Sequence, residues 1–112
     1  MTPATALAAP LPREARELLE AERVPLSRAC RFLGMTRQAA NPKARRYLAR
    51  VHKLTRNGRP FDVARLRPEM SKDGELLEIP VYKAAHGYMV RTDLLVAAVY
   101  PEAAFLEEAG DG

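Results

Sequence analysis

Two short amphipathic segments separated by Gly34 constrain the fold of this chain more than any other feature. Ser27 can cap a helix over residues 28–33, whose apolar side chains share one face. Gly34 then stands where a helix ends in the left-handed conformation, which glycine adopts at little cost. Met35 offers an apolar side chain to the turn, and Thr36 can cap the helix that follows. This order of signals predicts a helix-turn-helix.

The second helix of this unit contains a proline. Pro42 has no backbone N–H, and in a helix its ring would press on the carbonyl of Gln38. Either the helix kinks at Pro42, or one turn ends at Asn41, which then caps a new helix with Pro42 at its first position. We expect the second arrangement.

From Ala44 onward the helical periodicity is regular. Ala44, Leu48 and Val51 share a face that can enter the core. The opposite face carries a basic ridge of four residues at spacings of three, four and three: Lys43, Arg46, Arg50 and Lys53.

The net charge of +4 is unevenly distributed. Residues 23–61 contain eleven Arg or Lys and no Asp or Glu, so the rest of the chain holds all fourteen acidic residues and only seven basic ones. A solvated surface normally mixes both signs. A block of one sign is typical of a protein that binds a polyanion.

The remaining patterns predict an α+β fold that is mostly helical. A first helix is expected over residues 12–23, and Asp62 can cap a single packed turn formed with Phe61, Val63 and Leu66. Strands over 76–83 and 88–91 form a hairpin with a four-residue loop, and Thr92 or Asp93 caps a closing helix. We expect one domain over residues 11–106, with a flexible tail at 1–10 and an acidic tail at 107–112.

Residues 26–40, LSRACRFLGMTRQAA, resemble the helix-turn-helix of small phage-type regulators. These include excisionase and MerR-like winged domains and the pyocin-activator type. The resemblance extends over residues 24–48 and, more loosely, 76–99; Pro42 and a long connection to the hairpin depart from it. It implies a winged helix-turn-helix that binds DNA through residues 36–43 and the hairpin loop.

Several side chains are suited to DNA. The amides of Gln38 and Asn41 can pair with adenine, and Arg37 or Lys43 can read guanine or hold phosphate. The loop residue His86 would contact the backbone or the minor groove if the hairpin is a wing, and would do nothing in a plain hairpin. The candidate DNA-binding residues are Thr36, Arg37, Gln38, Asn41, Lys43, Arg45, Arg46, Arg50, Lys53, Lys83, His86 and Arg91.

Other classes of function find little support in the sequence. The single cysteine, Cys30, cannot form an internal disulfide and fits a core position in a reducing compartment. His52 and His86 have no Cys or His at a zinc-ligand spacing, and no nucleophile–base pattern or phosphate loop appears. The longest apolar run, residues 94–100, is too short to span a membrane. We therefore expect a cytoplasmic protein without cofactors that is not an enzyme.

Two functional hypotheses follow. The first is a sequence-specific DNA-binding transcriptional regulator, of phage or plasmid type, with residues 36–46 in the major groove and the basic ridge on phosphates. The second is a protein-binding regulator that docks on RNA polymerase or a host transcription factor, with the helix-turn-helix as scaffold and the ridge facing an acidic partner. Pro42 favours the second. The apolar residues of the closing segment fit either the core or the interface of a homodimer, and we expect a homodimer: Leu94, Leu95, Val96, Val99, Phe105 and Leu106.

Overall fold

The computed structural model describes residues 11–101. Their elements follow in the order α1 (Arg13–Leu19), β1 (Arg23–Pro25), α2 (Leu26–Leu33), α3 (Arg37–Arg56), a 3-10 turn (Val63–Arg65), β2 (Val81–Ala84), β3 (Gly87–Arg91) and α4 (Thr92–Val99). About half of the described residues are helical, and the three strands form one antiparallel sheet in the order β1-β3-β2. The predicted α+β class is confirmed.

The first helix is shorter than predicted because the chain enters the sheet early. The expected helix over residues 12–23 ends at Leu19, and Arg23–Pro25 form strand β1, which we did not predict. Val24 of β1 lies opposite Val90 of β3, and both side chains are buried. Three residues are too short a segment for their pattern to predict a strand, so it is the pairing with β3 that makes Arg23–Pro25 a strand.

The hairpin is confirmed, but it is shorter than predicted. Its first strand begins at Val81 and not at residue 76, and its loop has two residues, Ala85 and His86, instead of four. Residues 76–80 were expected in that strand; they instead run against α3, where the backbone N–H of Ile79 donates to the carbonyl of Lys43 at 3.3 Å. At the other end of this stretch the N–H of Leu77 donates to the carbonyl of Glu69 at 3.0 Å, so residues 76–80 are bonded to the preceding segment and to α3 and do not extend β2.

The turn between α2 and α3 has the predicted chemistry. Gly34 is left-handed (φ 69°, ψ 32°), and the N–H of Met35 donates to the carbonyl of Cys30 at 3.1 Å. Thr36 caps α3, since its Oγ1 accepts a hydrogen bond from the N–H of Ala39 at 3.1 Å. The predicted cap of α2 is wrong, however: that helix begins at Leu26, and Ser27 lies within its first turn.

Helix α3 runs without interruption from Arg37 to Arg56, so the expected break at Asn41 is wrong. Ala40, Ala44 and Tyr47 are all fully buried on one side of this helix. This packing holds both halves of α3 on a common axis. Pro42 is exposed on the other side, and the hydrogen bond that it cannot donate is lost where no side chain is packed.

A connecting segment, residues 66–80, joins the turn after α3 to the hairpin. The preceding 3-10 turn is capped as predicted, because Asp62 Oδ1 accepts from the N–H of Ala64 at 3.0 Å. Phe61 was expected to pack in this turn, but its side chain is 38% exposed. Within the connecting segment, Met70 and Leu76 form an isolated antiparallel bridge.

Helix α4 closes the core. Leu94, Leu95 and Val96 are buried, so these apolar residues, cited above for a dimer, are used within the chain. Val99 is half-buried, and Phe105 and Leu106 lie outside the described residues, as do the predicted tails at 1–10 and 107–112.

The predicted cap of α4 is also wrong. Arg91 occupies the cap position without a side-chain hydrogen bond to the helix. The hydroxyl of Thr92 instead donates to the carbonyls of Ala21 and Glu22, at 2.6 and 3.0 Å. It therefore ties α4 to the turn between α1 and β1. Among residues 11–101, no helix is both long and apolar enough to cross a bilayer.

Candidate nucleic-acid interface

The basic ridge predicted along α3 is divided by the fold. Lys43 and Arg50 are half-buried and point toward the connecting segment, so the expectation of four solvent-facing residues is wrong for these two. Lys43 Nζ donates to the carbonyl oxygen of Leu76 at 2.8 Å, and Arg50 Nη2 donates to that of Arg67 at 2.6 Å. Both cations therefore help to hold residues 67–76 in place.

Arg50 also neutralises the buried carboxylate of Glu78. The Glu78 side chain has no exposed surface, and its Oε1 accepts from Arg50 Nη2 at 2.7 Å and from the N–H of Glu69 at 2.9 Å. The hydrogen bond to Glu78 raises the pKa of the Arg50 guanidinium above its usual value. A buried carboxylate requires such a partner, which assigns Arg50 a structural role.

The outer half of the ridge remains at the surface. Arg46 pairs with Glu69 at 3.6 Å, and both side chains are about half exposed. Lys53 is exposed and makes no ion pair with another described residue. Glu69 and Glu78 lie outside the acid-free block in sequence, but the fold places their carboxylates beside Arg46 and Arg50 of α3. These two cations are therefore paired, although no acidic residue is near them in sequence.

A different set of residues forms the continuous solvent-facing surface of α3. Spacings of three and four place these side chains within about 100° of the helix circumference. This outer face, exposed throughout, consists of Gln38, Pro42, Arg45, Ala49, His52, Lys53 and Arg56. It carries three cations and no carboxylate, and within the described chain Arg45, Lys53 and Arg56 have no ion-pair partner.

The first turn of α3 supplies further candidates. Thr36, Arg37 and Gln38 are exposed beside the turn, although the Thr36 hydroxyl is used for capping. Asn41 is half-buried and lies at the edge of the outer face, about 20° around the helix from His52. Of the residues predicted in this stretch, Arg37 and Gln38 are thus the more accessible.

The hairpin residues are separated by the fold. Lys83 and His86 are exposed on β2 and the loop, and β2 packs beside α3. Arg91 lies at the other end of β3, where its guanidinium sits 4.6 Å from the ring centre of Tyr82. Its Nη1 atom is buried without a hydrogen-bond partner in the described chain. Arg91 therefore does not share the loop surface with Lys83 and His86.

Sequence reasoning missed two parts of this arrangement. Arg56 was not among the predicted contacts, although it follows Arg45 by eleven residues, three helical turns, and so lies on the same face. Tyr47 was not placed in the core, although it follows Ala40 and Ala44 by seven and three. Its hydroxyl donates to the carbonyls of Leu66 and Val63, at 2.7 and 3.4 Å.

Burial raises the pKa of the Tyr47 phenol above 10.0, with opposing effects from nearby arginines. Among the described residues, no group of three or more His, Cys, Asp or Glu side chains could hold a metal ion. Comparison with protein-family models, with curated proteins and with solved structures gave no match for this chain.

Proposed function

We propose that this chain is a DNA-binding transcriptional regulator that inserts the outer face of α3 into the major groove. The observation that carries the proposal is a continuous, exposed, acid-free face on the second helix of a helix–glycine turn–helix unit. An α-helix fits the major groove, and uncompensated cations attract the phosphates that border it.

The N-terminal half of the outer face is suited to reading base edges. The exposed amide of Gln38 can pair bidentately with adenine, and Arg45 can reach guanine or a phosphate. Pro42 and Ala49 lie between the polar residues and present small apolar surfaces, which can contact a thymine methyl group. Recognition helices usually contact bases through their first turns, which here follow the Thr36 cap.

The C-terminal half of α3 is suited to phosphates. A helix of 20 residues is about 30 Å long, and a straight helix diverges from the curved groove over that length. Lys53 and Arg56, near the end of α3, would then meet the sugar–phosphate backbone. Lys83 and His86 of the hairpin would add a second contact as a wing, while Arg50 and Lys43 stay within the fold.

Salt-dependent binding to a random duplex tests the proposal directly. Fluorescence anisotropy of labelled duplex DNA should give an affinity that falls steeply with salt, with a slope of about −0.9 per phosphate contact in a log–log plot. Replacing Arg45, Lys53 and Arg56 together with glutamine should reduce the slope by about two to three. Selection from a random duplex pool would then define the preferred site.

A matched control uses Arg16, an exposed arginine on α1 outside the acid-free block. Arg16→Gln removes one charge and should leave the slope nearly unchanged. The absence of duplex binding even at low salt, or an equal slope for the triple variant and wild type, would exclude the outer face of α3 as the DNA-binding surface.

A further inference from the structure

We propose that a pocket at the C-terminal end of α3 binds an acidic segment of a partner protein, which inserts one apolar side chain between Leu54 and Phe61. The pocket has a volume of about 530 Å³ and is lined by Leu54, Asn57, Arg59, Pro60, Phe61 and Leu66. None of these lining residues belongs to the outer face of α3; Lys53 and Arg56, which border the pocket, belong to both surfaces, and the inference does not depend on the DNA assignment.

One wall of the pocket is held by a hydrogen bond of the fold. Helix α3 ends at Arg56, and Gly58 turns the chain with a φ of 74°, so that residues 59–66 return along the helix. The Tyr47 hydroxyl fixes the far wall, since it donates to the carbonyl of Leu66 at 2.7 Å. The side of the pocket formed by Leu54 and Leu66 is therefore already ordered in the free protein, which lowers the entropy that this protein loses when a ligand binds.

The lining is apolar at its centre and open to solvent. Leu54 and Leu66 are half-buried, and Phe61 is the one large hydrophobic side chain among residues 11–101 that is exposed, at 38%. An aromatic ring beside two leucines offers a ligand side chain of leucine or phenylalanine size a surface to pack against.

The charge around the pocket selects for acidic residues beside that anchor. Arg59 lines it directly, and Lys53 and Arg56 extend from the last turns of α3. These three cations make no ion pair with any described residue. Residues 53–68 include a single acid, Asp62, whose Oδ1 accepts from the N–H of Ala64. A peptide with Asp or Glu flanking its apolar anchor is complementary to this rim.

The position of the pocket on α3 separates its apolar centre from the outer face. Leu54 follows Tyr47 by seven residues, and Asn57 follows Arg50 by seven, so both lie on the side of the helix that contacts the connecting segment. Duplex DNA could supply phosphates to the rim but has no side chain to fill the apolar centre. The chemistry of the pocket thus favours a protein ligand over a duplex.

Selection from a random peptide library tests the inference. A phage library would be selected on the intact protein and counter-selected on Phe61→Ser, after a thermal melt has shown that this variant is folded at the temperature of the selection. We expect enrichment of acidic peptides that share one aromatic or leucine residue. A synthetic peptide from this set should bind wild type at least about tenfold more tightly than Phe61→Ser, and replacing its apolar residue with serine should have the same effect.

Further measurements separate this pocket from the DNA surface. Arg59→Gln should also weaken the peptide, whereas duplex affinity of Phe61→Ser should equal that of wild type. Enrichment of no acidic peptides, or equal binding of the selected peptides to Phe61→Ser, would overturn the inference. A loss of affinity of Phe61→Ser for oligo(dT) without any peptide selected would also overturn it, and would assign Phe61 to base stacking.

Discussion

Arg50 of α3 donates three hydrogen bonds to the carboxylate of Glu78, 28 residues further along the chain, at distances of 2.7 to 3.1 Å. The Glu78 side chain is fully buried, and the Arg50 side chain is 26% exposed. This pair, together with the bond from Lys43 to the carbonyl of Leu76, fixes the connecting segment against α3. Because Lys43 and Arg50 hold the connecting segment on their own side of α3, this segment does not cover the outer face.

Breaking this pair should destabilise the fold strongly. Arg50→Ala leaves the Glu78 carboxylate buried without its cation, and we expect the free energy of unfolding to fall by about 3–5 kcal/mol. Arg46→Ala is the matched control, because its pair with Glu69 is exposed and is worth about 1 kcal/mol or less. Urea denaturation of the two variants measures the difference. An equal decrease in the free energy of unfolding for both variants would show that burial of the Arg50–Glu78 pair does not determine how much its loss destabilises the protein.

The buried Tyr47 phenol should make stability fall at alkaline pH. Because burial raises its pKa, the folded state keeps the phenolic proton at pH values where the unfolded chain has lost it. The contribution is complete below the unfolded-state pKa near 10.0 and is lost as pH rises toward the raised pKa, with a slope of up to about 1.4 kcal/mol per pH unit.

The comparison for this prediction is Tyr47→Phe. It should cost about 1–3 kcal/mol at neutral pH, since the carbonyl of Leu66 loses its donor, but it should unfold with a shallower dependence on pH above 10. The other tyrosines are present in both proteins, so their effect on the pH dependence of stability cancels in the comparison. Identical alkaline slopes in denaturant titrations would mean that Tyr47 does not carry the effect.

The helix-turn-helix signals could be predicted from sequence because their chemistry is local. The left-handed Gly34 and the Thr36 cap depend on residues within a few positions of each other, and both are confirmed. The hairpin was found for the same reason. The length of its first strand was not predicted, because residues 76–80 are apolar enough for a strand but bond to residues 69 and 70 and to α3 instead.

Features set by distant parts of the chain were missed. Strand β1 exists through its pairing with β3, some 65 residues away, and the Glu78 carboxylate is buried because Arg50 reaches it. Charge counted along the sequence therefore overstated the free basic surface of α3. At Pro42, local propensity favoured a break, but burial of Ala40, Ala44 and Tyr47 outweighed it.

Pro42→Ala should stabilise the protein. The substitution restores an N–H that can donate to the carbonyl of Gln38 and removes the ring from an exposed helix position. An interior proline costs a helix about 3 kcal/mol relative to alanine, and the greater freedom of the unfolded alanine chain returns about 0.4–1 kcal/mol of this. We expect a net gain of about 2 kcal/mol in the free energy of unfolding and a higher Tm in thermal melts.

Ala49→Gly, on the same exposed face, should move the Tm in the opposite direction. A lower Tm for Pro42→Ala would indicate that the proline is relieved of its usual cost by a bend in α3.

The proposed division of labour along α3 predicts different losses of DNA affinity from two substitutions near opposite ends of the helix. Gln38→Ala should cost about 1–3 kcal/mol on the selected site and little on random duplex, because an amide discriminates bases and adds no charge. Lys53→Ala should weaken both duplexes alike and lower the salt slope by about one, since a cation on a phosphate is indifferent to sequence. Both side chains are exposed without a partner in the described chain, so neither change should alter stability, in contrast to Arg50→Ala.

Anisotropy titrations of the two variants on both duplexes at several salt concentrations make the comparison. If Gln38→Ala and Lys53→Ala lose affinity in the same way on both duplexes, the N-terminal half of the outer face does not read sequence.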